Sequence, residues 1–339
     1  MKTTQEVESG SQRKFSADVL QIDTEQVIAQ ITAAIRAQIL GELKRRGAVV
    51  AVSGGIDSGV VAALCARALG PDRVHAVLMP EVDSDPVSVR LGTLLCDSLG
   101  VRHCVEDIGP VLEAMGCYRR RDDFIRQVVP EYGPGYRSKL VIADPRQGEG
   151  YGLSSLVVLG PDGSVRKVRL SLVPYLGIVA ATNMKQRTRK QLEYYYADCL
   201  HYAVAGTPNR LEYDQGFFVK NGDGSADLKP IAHLYKSQVY QLAAALGVPS
   251  EIRQRTPSTD TFSLAQSQEE FFFALPYAQM DLCLYALNHG VPAVEVAPVL
   301  GLTPQEIERV YWSIEQKRRT THYQQAAPLV VETIAEIRH

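Results

Sequence analysis

The chain has 339 residues, with 36 lysines and arginines against 38 aspartates and glutamates, a formal net charge of −2. Near-neutrality argues against a protein whose main work is neutralising nucleic-acid phosphates. With 45% hydrophobic and 22% charged residues the chain is neither disordered nor collagenous, and its length suits one large domain or two modest ones with a full core.

Cysteines 65, 96, 104, 117, 199 and 283 form no CxxC pair, a spacing that suits reduced, buried thiols better than a disulfide frame or a zinc site. No stretch reaches the ~18 apolar residues of a membrane helix. Met1 to Phe15 is polar, without the apolar core of a signal peptide. A cytoplasmic protein with no membrane and no nucleic-acid partner is expected, residues 1–18 forming a loose tail.

In chain order, Val27, Ile31, Ile35, Ile39 and Leu43 recur in steps of four, which places them on one helical face. Asp23 or Thr24 caps its start, and Gly47 ends it. Residues 48–52 are apolar and rich in β-branched side chains, as in a strand buried on both faces. A glycine turn leads to a helix over 59–69, a strand over 74–79, a helix over 86–99 and a strand over 101–106. This alternation predicts an α/β fold, a doubly wound parallel sheet flanked by helices, Rossmann-like.

Residues 117–180 break the rhythm. A charged run over 119–123, a loop signal over 132–136, and two strands (153–159 and 165–172) around the Pro161-Asp162-Gly163 turn predict a small β insertion. Alternation resumes with a helix from Asn183, a strand over 202–205, a loop-rich region through Asp227, and a helix over 235–246 with Gly247 at its C-cap. From Gln266 onward the chain reads as a helical C-terminal part.

The chemistry starts at Ser53-Gly54-Gly55-Ile56-Asp57-Ser58, between a buried strand and a helix. Glycines let the backbone approach an anion, and the N–H groups opening the helix point at it, aided by the helix dipole. Ser53 and Ser58 add hydroxyls. Asp57 has the same sign as a phosphate, so a bridging cation is needed, for which Mg2+ is the usual choice. The Gly-Lys-Ser/Thr ending of a Walker A loop is absent.

This loop resembles the pyrophosphate loop of the ATP pyrophosphatase superfamily, whose members have an adenine nucleotide alpha hydrolase-like fold. A second array narrows the choice: Gly206-Thr207-Pro208-Asn209-Arg210-Leu211-Glu212, then Gly216, Lys220, Gly222-Asp223-Gly224, Asp227, Lys229-Pro230 and Lys236-Ser237-Gln238-Val239. With Asn183-Met184-Lys185-Gln186-Arg187-Thr188-Arg189 upstream and Thr256-Pro257-Ser258-Thr259-Asp260 downstream, it resembles the ammonia-dependent NAD+ synthetase family over about residues 24–116 and 182–320.

The resemblance implies an ATP-dependent amide ligase that adenylates the nicotinate carboxylate of deamido-NAD+ and passes ammonia to it, giving NAD+, AMP and pyrophosphate. It places ATP on Ser53, Gly54, Gly55, Ile56, Asp57, Ser58, Thr207, Lys236 and Ser258. Asp57 and Glu212 become the Mg2+ ligands, and Arg187, Lys220, Asp227 and Lys317 contacts for deamido-NAD+. Asp57, Ser53 and Asp223 are the expected catalytic residues, Asp223 as the acid that takes a proton from ammonium. A homodimer is implied, with apolar faces on the 27–43 helix and near 271–287.

The domain reading is a tail over 1–18, one synthetase-like domain over 19–320 carrying the 117–180 insertion, and a C-terminal extension over 321–339. Glutamine-fed relatives carry a glutaminase domain first, and residues 1–47 leave no room for one, so free ammonia or a separate ammonia-supplying partner is implied. The loop at 79–85 lacks the basic residue expected near ATP, and Gln316 stands where a histidine usually precedes the matched lysine. A second reading is therefore an adenylating ligase of the same family acting on another carboxylate. A third, of a different class, is a non-catalytic nucleotide-binding protein, against which both retained carboxylates argue.

Overall fold

Asp23 opens α1 (Thr24–Arg36), its carboxylate accepting the Gln26 N–H at 3.1 Å. Ile31, Ile35 and Ile39 are buried, as the four-residue step requires, whereas Val27 is half-buried and Ile28 takes the inward place beside it. The helix then widens into a π-helical turn over Ala37–Glu42, which takes an extra residue per turn and shifts the phase. Leu43 consequently emerges, 38% exposed. The structure, a computed structural model, describes residues 15–142, 154–257, 261–264, 266, 272–273, 275–332 and 334.

Next come β1 (Ala48–Ala51), α2 (Ile56–Leu69), β2 (Val74–Leu78), α3 (Pro86–Leu99), β3 (Arg102–Val105), α4 (Gly109–Ala114) and α5 (Cys117–Arg126). Helix α2 starts at Ile56 and not at Gly59, because extended Gly55 is its N-cap; Asp57 and Ser58 therefore stand in its first turn. A three-stranded antiparallel sheet follows, β4 (Arg137–Ile142), β5 (Ser154–Leu159) and β6 (Val165–Arg169). The chain continues through α6 (Leu172–Leu200), β7 (Ala203–Ala205), α7 (Arg210–Gln215), α8 (Lys236–Ala245), α9 (Ser250–Gln254), α10 (Tyr277–Asn288), α11 (Ala293–Leu300) and α12 (Pro304–Gln325).

The main sheet has the order β3-β2-β1-β7, all parallel. Val50 of β1 sits between Ala76 and Ala205. Its neighbours alternate faces with a period of two. Ala48 and Val50 pack under α1, α2 and α8, whereas Val49, Val77 and Val204 pack on the other face with Ile108, Leu112 and Ala197. Both faces are covered, which is the condition for a parallel sheet.

The 117–180 stretch differs from a purely β insertion. Arg119, Arg120 and Asp123 of the charged run lie on the outer face of α5, whose Cys117, Tyr118, Arg121 and Ile125 point inward; an amphipathic helix with one buried arginine reads as a loop when only apolar residues are counted. Strand β4 adds a third strand to the two expected, β6 ends at Arg169, and α6 begins at Leu172 rather than Asn183. Extended Ser171 and Pro174 in the first turn set that start.

At the C-terminal end, Met280, Cys283, Leu284, Ile307, Val310 and Ile314 form a core with Leu211. Phe15 and Leu20 join it at 6% and 4% exposure, so the chain is packed from Phe15, inside the expected tail. The α12 helix passes residue 320 without a break. Both faces offered for a dimer are used inside the chain: Ile35 and Ile39 lie under α2 and α8, and Cys283 and Leu284 are wholly buried. Among the described residues no helix is long and apolar enough to cross a membrane.

Candidate functional site

The site lies at the carboxyl ends of β1 and β7. The chain leaving β1 turns toward β2, and the chain leaving β7 turns the other way into α7, so a crevice opens between them, where open α/β sheets take ligands. Gly54 has φ +72°, and a Cβ there would stand 2.4 Å from the Ser88 carbonyl oxygen, so the bend admits only glycine. Ser58 Oγ donates to the Gly55 carbonyl at 3.0 Å and accepts the Ser53 N–H at 3.2 Å. Ser53 Oγ accepts the Gly55 N–H at 3.3 Å. The two hydroxyls thus shape the loop. No side chain caps α2, which leaves its first-turn N–H groups open to an anion.

Asp57 and Glu212, far apart in sequence, meet at this mouth and line one cavity of about 400 Å3. Asn209 bridges them: its Nδ2 donates to Asp57 Oδ1 at 3.1 Å, and its backbone N–H donates to Glu212 Oε2 at 3.1 Å. Asn209 Oδ1 in turn accepts the N–H groups of Leu211 and Glu212, closing a capping box at the start of α7. Lys236 is wholly buried and its Nζ donates to Asp57 Oδ2. Asp281 holds the backbone of Lys236 and Ser237 at 3.1 and 2.7 Å. Burial pushes the Asp281 carboxyl up to about 6.

The electrostatics follow from burial. The Glu212 carboxyl is pushed up to about 8, first by burial and then by the Asp57 charge beside it. Burial lowers the Lys236 ammonium, but the Asp57 and Glu212 charges outweigh it and its pKa is raised. Because burial and the Asp57 charge hold Glu212 toward its neutral form, a further positive charge at this mouth would favour its carboxylate. Among the described residues no group of three or more His, Cys, Asp or Glu could form a protein-only metal cage. Two carboxylates from different loops do fit Mg2+, which takes few protein ligands and completes its shell with phosphate oxygens and water.

Thr207, Ile56 and Ser58 line the same cavity. Opposite them stand Gln186, Arg189 and Lys190 of α6, then Phe217, Phe218, Val219 and Asp223. Asp223 Oδ1 accepts the Val219 N–H at 2.7 Å, and burial raises its pKa against that bond and the nearby Lys190. Lys190 and Glu193 form a buried ion pair at 2.6 Å that sequence reading missed, although their three-residue helical spacing signalled it. The Asn209–Glu212 capping-box spacing was a second unread signal.

The four residues expected to hold a dinucleotide lie outside this cavity. Arg187 is exposed, its Nε donating to the Lys220 carbonyl at 3.2 Å. Lys220 Nζ donates to the carbonyls of Tyr323 and Ala326 at 2.9 and 3.0 Å. Asp227 accepts the Val204 N–H at 2.7 Å and the Tyr194 hydroxyl at 3.2 Å. Lys317 is buried, donates to the Phe272 carbonyl at 2.6 Å, and is lowered by burial to about 7. Ser258, with Thr259 and Asp260, lies outside the described residues.

The acidic loop after β2 finds its bases elsewhere. Lys185, wholly buried, donates to Glu81 at 3.0 Å, Asp83 at 2.6 Å and the Thr261 carbonyl at 2.7 Å. Arg121 of α5 meets Asp83 at 2.5 Å, and the Tyr118 hydroxyl donates to Glu81 at 2.9 Å. This network ties the loop to α5 and α6.

The family model described as NAD synthase matches residues 27–129 and 170–327. Among curated proteins, the NH(3)-dependent NAD(+) synthetase of Rhizobium meliloti is 59% identical over 95% of this chain and 96% of its own length. That of Mesorhizobium japonicum is 58% identical over 94% and 100%. The segment the family model skips is therefore largely shared with these relatives. Among solved structures, an NMN synthetase from Francisella tularensis (21% identical, TM-score 0.64) covers 92% of this chain and 100% of its own. An NH3-dependent NAD synthetase from Campylobacter jejuni (22%, TM-score 0.59) covers 92% and 100%. At such identities these two establish the fold.

Proposed function

Because the chain belongs to the NAD synthase family, we infer that it is an ammonia-dependent NAD+ synthetase, a ligase that forms an amide at the cost of ATP. The observation that carries the site assignment is the Asn209 bridge, which brings Asp57 and Glu212 together beside the uncapped start of α2.

In this reading the nicotinate carboxylate of deamido-NAD+ attacks the ATP α-phosphorus, and pyrophosphate leaves against the 53–58 loop. Ammonia then attacks the acyl carbon and AMP leaves. The two negative charges that develop are met by the α2 N–H groups and Lys236. Asp57 and Glu212 would hold Mg2+, which when bound neutralises phosphate charge. Asp223, which lines the cavity and whose pKa is raised by burial, would take the proton that ammonium must lose. Ser53, whose hydroxyl braces the loop, acts through loop shape.

Gln186, Arg189 and Lys190 bring α6 into the cavity wall, and the dinucleotide extends out along α6, where Arg187 is exposed. Lys220, Asp227 and Lys317 are bound to the chain itself and hold the walls of that surface. We read the enzyme as cytoplasmic and homodimeric, fed by free ammonia or a separate supplying protein. The exposed Leu172, Val173 and Leu176 of α6 are the proposed dimer face, in place of the faces buried above. Sedimentation as a clean monomer at micromolar concentration rejects the dimer.

The test is product balance. With ATP, Mg2+, ammonium and deamido-NAD+, AMP, pyrophosphate and NAD+ should appear in equal amounts. Turnover of nicotinate mononucleotide or another carboxylate, with deamido-NAD+ left intact, transfers the assignment to that substrate. ATP bound but never split supports the non-catalytic reading.

A further inference from the structure

Sequence reading gives residues beyond 320 no role, yet the last turns of α12 lie along residues 213–220. Arg318 meets Asp214 with two nitrogens at 2.6 and 2.9 Å. Gln325 Nε2 donates to the Tyr213 carbonyl at 2.5 Å. Gly216 has φ +73°, and a Cβ there would stand 2.3 Å from the Thr321 side chain, so glycine is what lets the helix come this near. With its amide nitrogen turned to the loop, Gln324 donates to the Gly216 carbonyl at 3.0 Å and to that of Phe218. Gln324 also lines the cavity. From the other side Lys220 reaches back to the Tyr323 and Ala326 carbonyls, its ammonium 4.2 Å from the Tyr323 ring centre. It thus caps helix-end acceptors that have no intrahelical donor.

What these contacts hold is one half of the cavity. Phe217, Phe218 and Val219 line it, and the Val219 N–H fixes Asp223 at 2.7 Å. The other half has separate anchors: Asn209 for Asp57 and Glu212, and Asp281 for the start of α8. We propose that the end of α12 is a buttress for the amination half of the site, with Gln324 as its positioning residue and Lys220 as its clamp. This rests on the reading of Asp223 as the group that meets ammonium. Through Gly216 and Phe218 the buttress sets where Val219, and hence Asp223, stands; adenylation does not depend on it.

The experiment uses Gln324→Glu in the full chain, which keeps size but sets an acceptor against two carbonyl oxygens, and Gln324→Ala as a milder variant. Two readings are taken: the ammonium KM for amide formation, and ATP–pyrophosphate exchange driven by deamido-NAD+. Loss of two hydrogen bonds to the loop should raise the ammonium KM about tenfold in Gln324→Glu and less in Gln324→Ala. Exchange should stay within about twofold of the parent in both. An unchanged ammonium KM in both variants, or an equal fall in exchange and amide formation, overturns the proposal. Absence of exchange in the parent enzyme is a separate result, which removes the adenylation reading itself.

Discussion

Replacing Lys185 by methionine should be among the most damaging single changes outside the catalytic cavity. Lys185 and Glu81 have no exposed side-chain surface, and Asp83 and Arg121 keep 6% and 9%. The buried Glu81, Asp83, Lys185 and Arg121 sum to zero charge, with the partly exposed Asp122 also on Arg121 at 2.8 Å; Lys185→Met leaves an excess of −1 among the buried four. Breaking a buried pair by removing one partner costs about 3–5 kcal/mol. For a chain of 339 residues that corresponds to a fall in Tm of roughly 4–7 °C. Adding Glu81→Gln restores the balance, since Asp83 keeps Arg121 and the amide still accepts from Tyr118. The double variant should therefore recover about 1–3 kcal/mol over simple addition of the two single losses. Urea titration of the four proteins measures it. Strict additivity, or a Lys185→Met loss below about 1 kcal/mol, refutes the argument that this network is a desolvated, charge-balanced unit.

Asp57→Asn should remove most amide formation while leaving the urea midpoint near that of the parent; undiminished turnover discredits the metal role. Gly54→Ala forces a side chain into a φ +72° bend against the Ser88 carbonyl, so a loss of about 1–3 kcal/mol is expected together with activity, and a fully active, equally stable variant contradicts the bend as described. Lys317 supplies a pH test. Its folded pKa is lowered to about 7 from 10.5, so between those values the unfolded chain binds the extra proton and stability rises with pH. From pH 7.5 to 9 the parent should gain about 1.4 kcal/mol per unit relative to Lys317→Met. Parallel pH slopes for the two proteins remove the buried ammonium from the account.

The parts of the fold legible in the sequence were those written in short-range pattern. The β-branched run at 48–52 and the serine–glycine bend located the first strand and the ligand end of the sheet. The Asp57 and Glu212 expectation also sits in the crevice, because each acid lies in the first turn of a helix that leaves a strand end. What resisted reading depends on partners far away in the chain. Arg121 and Lys185 look like wet helix residues until Glu81 and Asp83 are seen beneath them. The early start of α6 was hidden because Leu172, Val173 and Leu176 are exposed and give no amphipathic stripe. The resemblance offers Lys220 as a dinucleotide contact, and its bonds to the Tyr323 and Ala326 carbonyls become visible only with the returning end of α12.

Strand β1 gains its β7 neighbour only when residues 203–205 arrive, and the cluster that takes in Phe15 waits for Ile314. At ribosomal speeds the gap between β1 and β7 alone is roughly 8–30 s of synthesis. During that interval the emerging polypeptide carries a phosphate-ready bend with neither Glu212 nor Lys236 beside it. A prematurely terminated product can therefore present the bend without the Glu212 and Lys236 charges that complete the crevice.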